Sequence, residues 1–304
     1  MRHMRYVRWL SVALVLFIAP RMAIAQQKQP PAGYAGSAAC VDCHKESVHQ
    51  FEATVMGKLI KENGGVKNGE HGCESCHGPS KAHVESGGDV LPPISYSSKA
   101  KTSVTDRNAS CLTCHEKTSR TMWAGSTHES RNLSCTDCHV VMHDNTERSN
   151  LKKASVLATC GSCHREKAAA MSKFSHMPLG EGKMECTNCH SPHGSPNEKL
   201  LVASSVNETC FSCHAEKRGP FMWEHLPVTE SCSNCHDPHG SNKIRMLKYV
   251  PPRLCQQCHL TPHGAPSGRP EDQASVRFNY NKGCVNCHSQ IHGSNHPAGV
   301  FFTR

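Results

Sequence analysis

Aromatic side chains are scarce in this sequence, 5% of 304 residues, and apolar side chain in general is thin. The hydrophobic share is 37%, but that figure counts 20 cysteines. Without them it falls to about 30%, low for a chain that must build its own core. Such a chain cannot offset its ordering entropy by side-chain burial alone, so something other than side chains must fill the interior. No stretch alternates polar and apolar residues as a strand would. No basic run is long enough to grip nucleic acid, which excludes that class of partner. Beyond the N-terminus no segment is apolar enough to span a bilayer as a helix.

The N-terminus itself reads as a secretory signal over residues 1–25. Arg2, Arg5 and Arg8 form a basic start, Trp9 to Ala19 a short apolar stretch, and Ala23-Ile24-Ala25 a small-x-small cleavage site. Pro20 and Arg21 interrupt the apolar run, which argues against an uncleaved anchor. The expected mature chain is 26–304, in an exported, oxidising compartment. The signal takes four arginines with it, leaving 30 Lys and Arg against 25 Asp and Glu, a mild and scattered excess of +5.

What the sequence has in plenty is cysteine, and every cysteine has a place. All 20 fall in ten Cys-x-x-Cys-His motifs. These are Cys40/Cys43/His44, Cys73/Cys76/His77, Cys111/Cys114/His115, Cys135/Cys138/His139 and Cys160/Cys163/His164. They continue as Cys186/Cys189/His190, Cys210/Cys213/His214, Cys232/Cys235/His236, Cys255/Cys258/His259 and Cys284/Cys287/His288. This is the attachment signature of haem c. Two cysteines on one turn add to the two vinyl groups of one porphyrin, and the next residue supplies the proximal imidazole. Zinc ribbons also pair cysteines this way, and exported Cys-rich chains form disulfides. Neither requires a histidine after every second cysteine. The expectation is ten covalent haems, with scattered Lys and Arg pairing their propionates.

The motifs come in pairs and the pairs repeat. Cys160-Gly-Ser-Cys-His-Arg-Glu-Lys matches Cys210-Phe-Ser-Cys-His-Ala-Glu-Lys, and Cys186-Thr-Asn-Cys-His-Ser-Pro-His-Gly matches Cys232-Ser-Asn-Cys-His-Asp-Pro-His-Gly. Five diheme units are expected at about 40–110, 111–159, 160–209, 210–254 and 255–304. First motifs are followed by helix-compatible stretches such as Ala215 to Glu224; Ser-, Gly- and Pro-rich segments such as Gly87 to Arg107 and Gly264 to Gly283 read as loops. The fold class is therefore a multihaem cytochrome c: short α-helices and coil wrapped around a quasi-linear array of haems, with little or no β-sheet.

Ten irons need ten sixth ligands, and the histidines outside the motifs nearly match that number. His128, His176 and His225 lie 13, 12 and 11 residues after their motif histidines, a long slot. His83, His143, His193, His239, His263 and His292 lie 3 to 6 residues after theirs, a short slot, and His296 stands behind the last motif. Neither class suits its own haem. A 12-residue helix rises about 18 Å, and a three-residue link, spanning about 10 Å, is too short to round a porphyrin edge. Each is expected to serve another motif's iron. The first unit departs, with Met56 in its long slot and His49 seven residues earlier, both rivals for one site. Methionine would raise that haem's potential. His71 reads as a supporting or exposed residue, and Trp123 and Trp223 as haem-packing residues.

The C-terminal half resembles the MtrA/DmsE family of periplasmic decahaem cytochromes. The resemblance is carried by Ser212-Cys-His-Ala-Glu-Lys-Arg-Gly-Pro220, Trp223-Glu-His225 with Pro227-Val-Thr-Glu230, Leu254-Cys-Gln-Gln-Cys-His259 and Asn286-Cys-His-Ser-Gln-Ile-His-Gly-Ser-Asn-His-Pro297. All ten motifs follow in the same order, and the departure is at Met56, where the family pattern has a distal histidine. The resemblance implies an electron wire at the outer membrane, seated in a β-barrel porin. Its implied partners are a periplasmic or inner-membrane cytochrome on one side and an extracellular multihaem cytochrome or surface reductase on the other. The ligands read from the residues agree with a non-catalytic conductor, since six-coordinate irons leave no open position. The rivals are a periplasmic multihaem reductase with one open haem, which only the first unit's doubtful ligation would allow, and a diffusible periplasmic shuttle.

Overall fold

Each Cys-x-x-Cys-His segment closes on itself as one turn, and everything else in the chain is arranged around those turns. The computed structural model describes residues 31–61, 64–97, 100–146, 149–260 and 283–303. The expected signal, the expected loop 264–283 apart from its last residue, and His263 lie outside them. Within a motif the first cysteine's carbonyl accepts twice. Cys160 O receives the N–H of Cys163 at 3.2 Å and of His164 at 2.9 Å, and Cys232 O those of Cys235 at 3.3 Å and His236 at 3.1 Å. The turn holds both sulfurs and the imidazole in a fixed relation.

Helix α1 (Ala38–Ala53) carries the first motif and kinks at His44, where φ is −112° and ψ 32°. A corner at Thr54 leads into α2 (Val55–Leu59), whose N-terminus the Thr54 hydroxyl caps by accepting from Gly57 N. Strands β1 (Ile60–Lys61) and β2 (Gly64–Gly65) form an antiparallel pair, the only sheet among the described residues. Then come α3 (Glu74–His77) on the second motif, α4 (Lys81–Glu85), α5 (Val104–His115) ending on the third motif, α6 (Thr127–Ser130) and α7 (Cys135–Cys138). Helices α8 (Val156–Gly161), α9 (Arg165–Ala170), α10 (Val206–Phe211) and α11 (Leu226–Glu230) follow. Cys186–Asn188, Cys232–Asn234, Cys255–Gln257 and Cys284–Asn286 are single 3₁₀ turns.

First motifs of the middle units sit at the ends of serine-capped helices: Ser103, Ser155 and Ser205 cap α5, α8 and α10. The stretch Ala215 to Glu224 corrects the sequence reading. Only Ala215–Lys217 winds into a turn, because Gly219 takes φ +86° and Pro220 has no N–H to continue a helix.

Side-chain packing supplies little interior. Among the described residues the buried hydrophobics are Trp123, Ala170, Leu179 and Leu201, while Phe174 is 78% exposed. The buried side chains are mostly polar and act as staples. The Glu74 carboxylate accepts from the N–H groups of Ala35, Gly36 and Ser80 at 3.0, 2.8 and 2.7 Å, fixing the N-terminal segment to the second motif. Asn207 donates to the carbonyls of Val228 and Thr229 and accepts from Cys232 N at 2.7 Å, tying α10 to the next motif. Asn108 does the same between α5 and Cys135. Successive units press together at glycines. A Cβ on Gly194 would fall 1.9 Å from Met122 O, and one on Gly240 2.1 Å from Ala170 O, so neither position admits a side chain.

Candidate haem-binding sites

The second motif of each unit is followed by a loop that returns to its histidine. His139 pairs with Leu151, His190 with Leu201 and His236 with Leu247 in isolated antiparallel bridges. The residues before each partner are left-handed without being glycine: Ser149 and Asn150 (φ 60° and 44°), Lys199 and Leu200 (56°, 57°), Arg245 and Met246 (56°, 54°). That conformation costs on the order of 1 kcal/mol per residue. It turns the carbonyls of Ser149, Lys199 and Arg245 onto the imidazoles, which donate from Nδ1 at 2.6, 2.9 and 2.8 Å. His77 donates to Ile94 O at 3.0 Å and His288 to Phe301 O at 2.5 Å. With the proton held on Nδ1, the Nε2 lone pair is free for a metal, and the hydrogen bond strengthens it as a donor.

Several expected distal histidines are set up alike. His83 Nδ1 donates to Val90 O, His128 to Pro192 O, His176 to Met177 O and His225 to Ile291 O, at 2.7 to 3.1 Å. His296 is reversed: its Nδ1 accepts from Ala298 N at 3.1 Å, which leaves the proton on Nε2. Burial, aided by neighbouring histidines or cations, pushes His77, His115, His193, His225, His239 and His292 below the ordinary histidine value. The neutral ring so favoured is the ligating form.

The rings meet in pairs from distant parts of the chain. His44 faces His83 at 6.2 Å between ring centres, His128 faces His164 at 6.2 Å, and His139 faces His193 at 6.0 Å. His190 faces His239 at 6.1 Å, His225 faces His259 at 6.2 Å, and His236 faces His292 at 6.3 Å. In each pair one ring belongs to a motif and the other to the long or short slot. Ordinary ring contacts scatter between about 4.5 and 7 Å; these hold one value. A metal bound to two imidazole nitrogens at about 2 Å, with each ring centre roughly 1 Å further, separates the centres by about 6 Å. Five of the pairs are close to parallel, with interplanar angles of 15° to 20°, and the pair of His128 with His164 is tilted by 59°. No such ring stands opposite His77, His115 or His214 among the described residues. His71 packs on Tyr34 at 4.4 Å; His49 and His143 have no ring partner among them either.

The cysteines form a succession. None of the 20 is in a disulfide. Within a unit the first cysteines of the two motifs are close enough to perturb each other's ionisation: Cys111 with Cys135, Cys160 with Cys186, Cys210 with Cys232, Cys255 with Cys284. Between units the second cysteines are electrostatic neighbours: Cys76 with Cys114, Cys138 with Cys163, Cys189 with Cys213, Cys235 with Cys258. Cys43 and Cys287 belong to the first and last motifs.

The two cysteines of a motif differ in exposure. Every first cysteine is half-buried, whereas the second is exposed in seven motifs: Cys43, Cys114, Cys138, Cys163, Cys213, Cys258 and Cys287. Exposure at the protein surface is compatible with a thioether, whose sulfur needs only to reach the porphyrin edge.

Comparison with known proteins agrees with this arrangement. A family model for the doubled CXXCH motif matches residues 176–219 and 225–264, and one for NrfB-like cytochrome c-type proteins matches residues 73–163. The chain is 39% identical over 277 residues to the multiheme cytochrome MtrA of Shewanella baltica (strain OS185), covering 88% of this chain and 81% of that protein. It belongs to the MtrA family of multihaem cytochromes. A second relative, the cytochrome c-type protein NrfB of Escherichia coli O6:H1 (strain CFT073), is 28% identical over 152 residues, covering 48% of this chain and 71% of that protein.

As a member of the MtrA family the chain is an electron-transfer protein that binds haem c. Its residues fit that group beyond the motifs. Arg107 Nε, Trp223 Nε1 and Ser289 Oγ are buried without a protein partner, and acceptor-only propionates would satisfy such donors. The sequence reading missed two sets of residues. The Asn staples carry a signal, Asn-x-x-Cys at Asn108 and Asn207. The left-handed pairs carry none, since nothing in Lys199-Leu200 or Arg245-Met246 marks a turn.

Proposed function

We propose that this MtrA-family chain binds ten haems, one per motif. On this reading it conducts electrons across the outer membrane from inside a β-barrel porin, as an exported, periplasmic-side protein of five diheme units. Its partners are the porin, a periplasmic or inner-membrane cytochrome, and an extracellular multihaem cytochrome or surface reductase. The observation that carries the reading is the unbroken motif-to-motif succession in sequence order, from Cys76 to Cys284.

The six facing ring pairs are the proposed axial pairs. They describe an exchange. The long-slot histidine of one unit serves the first motif of the next, and the short-slot histidine of that next unit serves the second motif of the one before. The same register assigns His176 to His214 and His143 to His77. The first unit closes on itself through His83 and His44, and His263 is left for His288. Bis-imidazole ligation at these sites leaves no open position for a substrate, which favours a conductor.

A physical requirement supports the proposed porin. No helix among the described residues is long and apolar enough to cross a membrane. A polar chain carrying propionates cannot face lipid, whereas a barrel offers it a polar lumen. The test is co-purification from detergent-solubilised outer membrane, then electron transfer in proteoliposomes to a trapped acceptor. Porin plus cytochrome should conduct far faster than porin alone. A protein that stays wholly in the periplasmic fraction beside its porin, with no gain in conduction, would instead be a diffusible shuttle.

A further inference from the structure

We propose that the exceptional iron is the third, at Cys111/Cys114/His115, and that the Met56 thioether is its sixth ligand. The proposal rests on the axial exchange described above. Met56 follows the first motif in sequence, but His44 already has an imidazole opposite it, His83, at 6.2 Å and 17°. The long slots look forward instead: His128 faces His164, and His225 faces His259, each in the first motif of the next unit. In that register the long slot of the first unit serves His115, and no imidazole faces His115 among the described residues.

Local structure puts Met56 in the same station as a known member of the series. His128 is the second residue of α6, one step past the position after its cap, and Ser126 caps by accepting from Glu129 N. Met56 is the second residue of α2, with Thr54 capping by accepting from Gly57 N. Helix α2 is firmly seated, since a Cβ on Gly57 would fall 2.0 Å from Phe51 O. The chain beyond α2 and the hairpin runs onto the third motif itself. Asn68 Nδ2 donates to Thr113 O at 3.1 Å, and the Cys114 thiol to Lys67 O at 3.6 Å.

The rivals are placed otherwise. Met56 is half-buried while its helix neighbours Val55 and Leu59 are exposed, His49 is exposed on α1, and His71 lies on Tyr34. The same junction departs a second time: Gly follows the short-slot histidine in His193-Gly194 and His239-Gly240, but Asp144 follows His143.

A thioether lifts a haem's potential above that of its bis-imidazole neighbours. The third motif lies in line, with Cys76 on one side of it and Cys135 on the other. An electron on the array would therefore rest there first, near the N-terminal end, before moving on.

The test uses purified holoprotein with magnetic circular dichroism, spin-state spectroscopy and redox titration. The parent should show the thioether-to-ferric charge-transfer band from one haem in ten, and that tenth should reduce first. Met56→His should stay low-spin, lose the band and merge its component with the rest. Met56→Ala should turn about a tenth of the haem high-spin, while His49→Ala should keep the band. Replacing Cys111 and Cys114 together by serine should remove the band with one haem. A parent without the band, or a high-spin haem created by His49→Ala alone, overturns the proposal. The underlying exchange is judged separately by His128→Ala, which should open one iron and leave the band intact. If it opens none, the exchange fails, whatever Met56 does.

Discussion

The two motifs of a unit are held by different means. A second motif such as Cys186/Cys189/His190 is a bare turn, and its imidazole is gripped from outside by a carbonyl on a returning loop, Lys199 O at 2.9 Å. A first motif such as Cys160/Cys163/His164 grows from the end of a capped helix, α8, and among the described residues no backbone carbonyl receives the Nδ1 of His44, His115, His164 or His259. One class buys orientation with backbone strain; the other inherits it from a helix. The difference also bears on the irons. A hydrogen-bonded imidazole is the more electron-rich ligand, so second-motif haems should sit at the lower end of the potential range.

The comparison can be broken at several strengths. Removing haem altogether should erase it: with so little buried apolar side chain, the apoprotein should lose most of its far-ultraviolet helical signal, α5, α8 and α10 included. An apoprotein with native helix content would mean that the cofactor is not the core. Next in size, His128→Ala and His193→Ala should each convert about one tenth of the haem to high spin, the first opening a first-motif iron and the second a second-motif iron. Spin quantitation would show whether the two classes really draw on opposite slots.

Asn207→Ala tests the link between the classes, because its amide joins α10 to Cys232. Loss of those buried hydrogen bonds should cost about 2 kcal/mol, seen as a lower denaturation midpoint with the haem count unchanged. The smallest effect is expected inside the returning loop. Lys199→Gly should be neutral or stabilising by up to about 1 kcal/mol, since glycine takes φ > 0 freely, whereas Lys199→Val should destabilise by about 1–2 kcal/mol. Equal effects from both would deny that the left-handed turn stores strain.

Much of this was readable beforehand because covalent attachment is written in local spacing. The ten motifs and the long and short slots follow from residues a few positions apart. What joins them is not local. His193 reaches back to His139 while His128 reaches forward to His164, and no spacing rule tells the two directions apart. The unequal exposure within a motif was equally hidden, since Cys40 and Cys43 read alike in sequence. Sequence proximity ties Met56 to the first motif, and only the facing of His83 with His44 separates the two. The Ala215 to Glu224 stretch was over-read as helix by composition, although Gly219 and Pro220 were in plain view.

The proposed exchange of histidines between adjacent units would also order events in time. A chain exported N-terminus first delivers the second unit before the third, so His139 must wait for His193 to emerge some fifty residues later. Until then its iron would be exposed on one side, the state in which a haem most readily binds stray ligands. On that pairing every unit but the last is finished only by its successor, and an interrupted chain would end on raw coordination sites that mark it as incomplete. Lengthening such a protein by duplicating an internal unit raises no such difficulty, because each copy brings both the histidine its predecessor lacks and the one its successor needs.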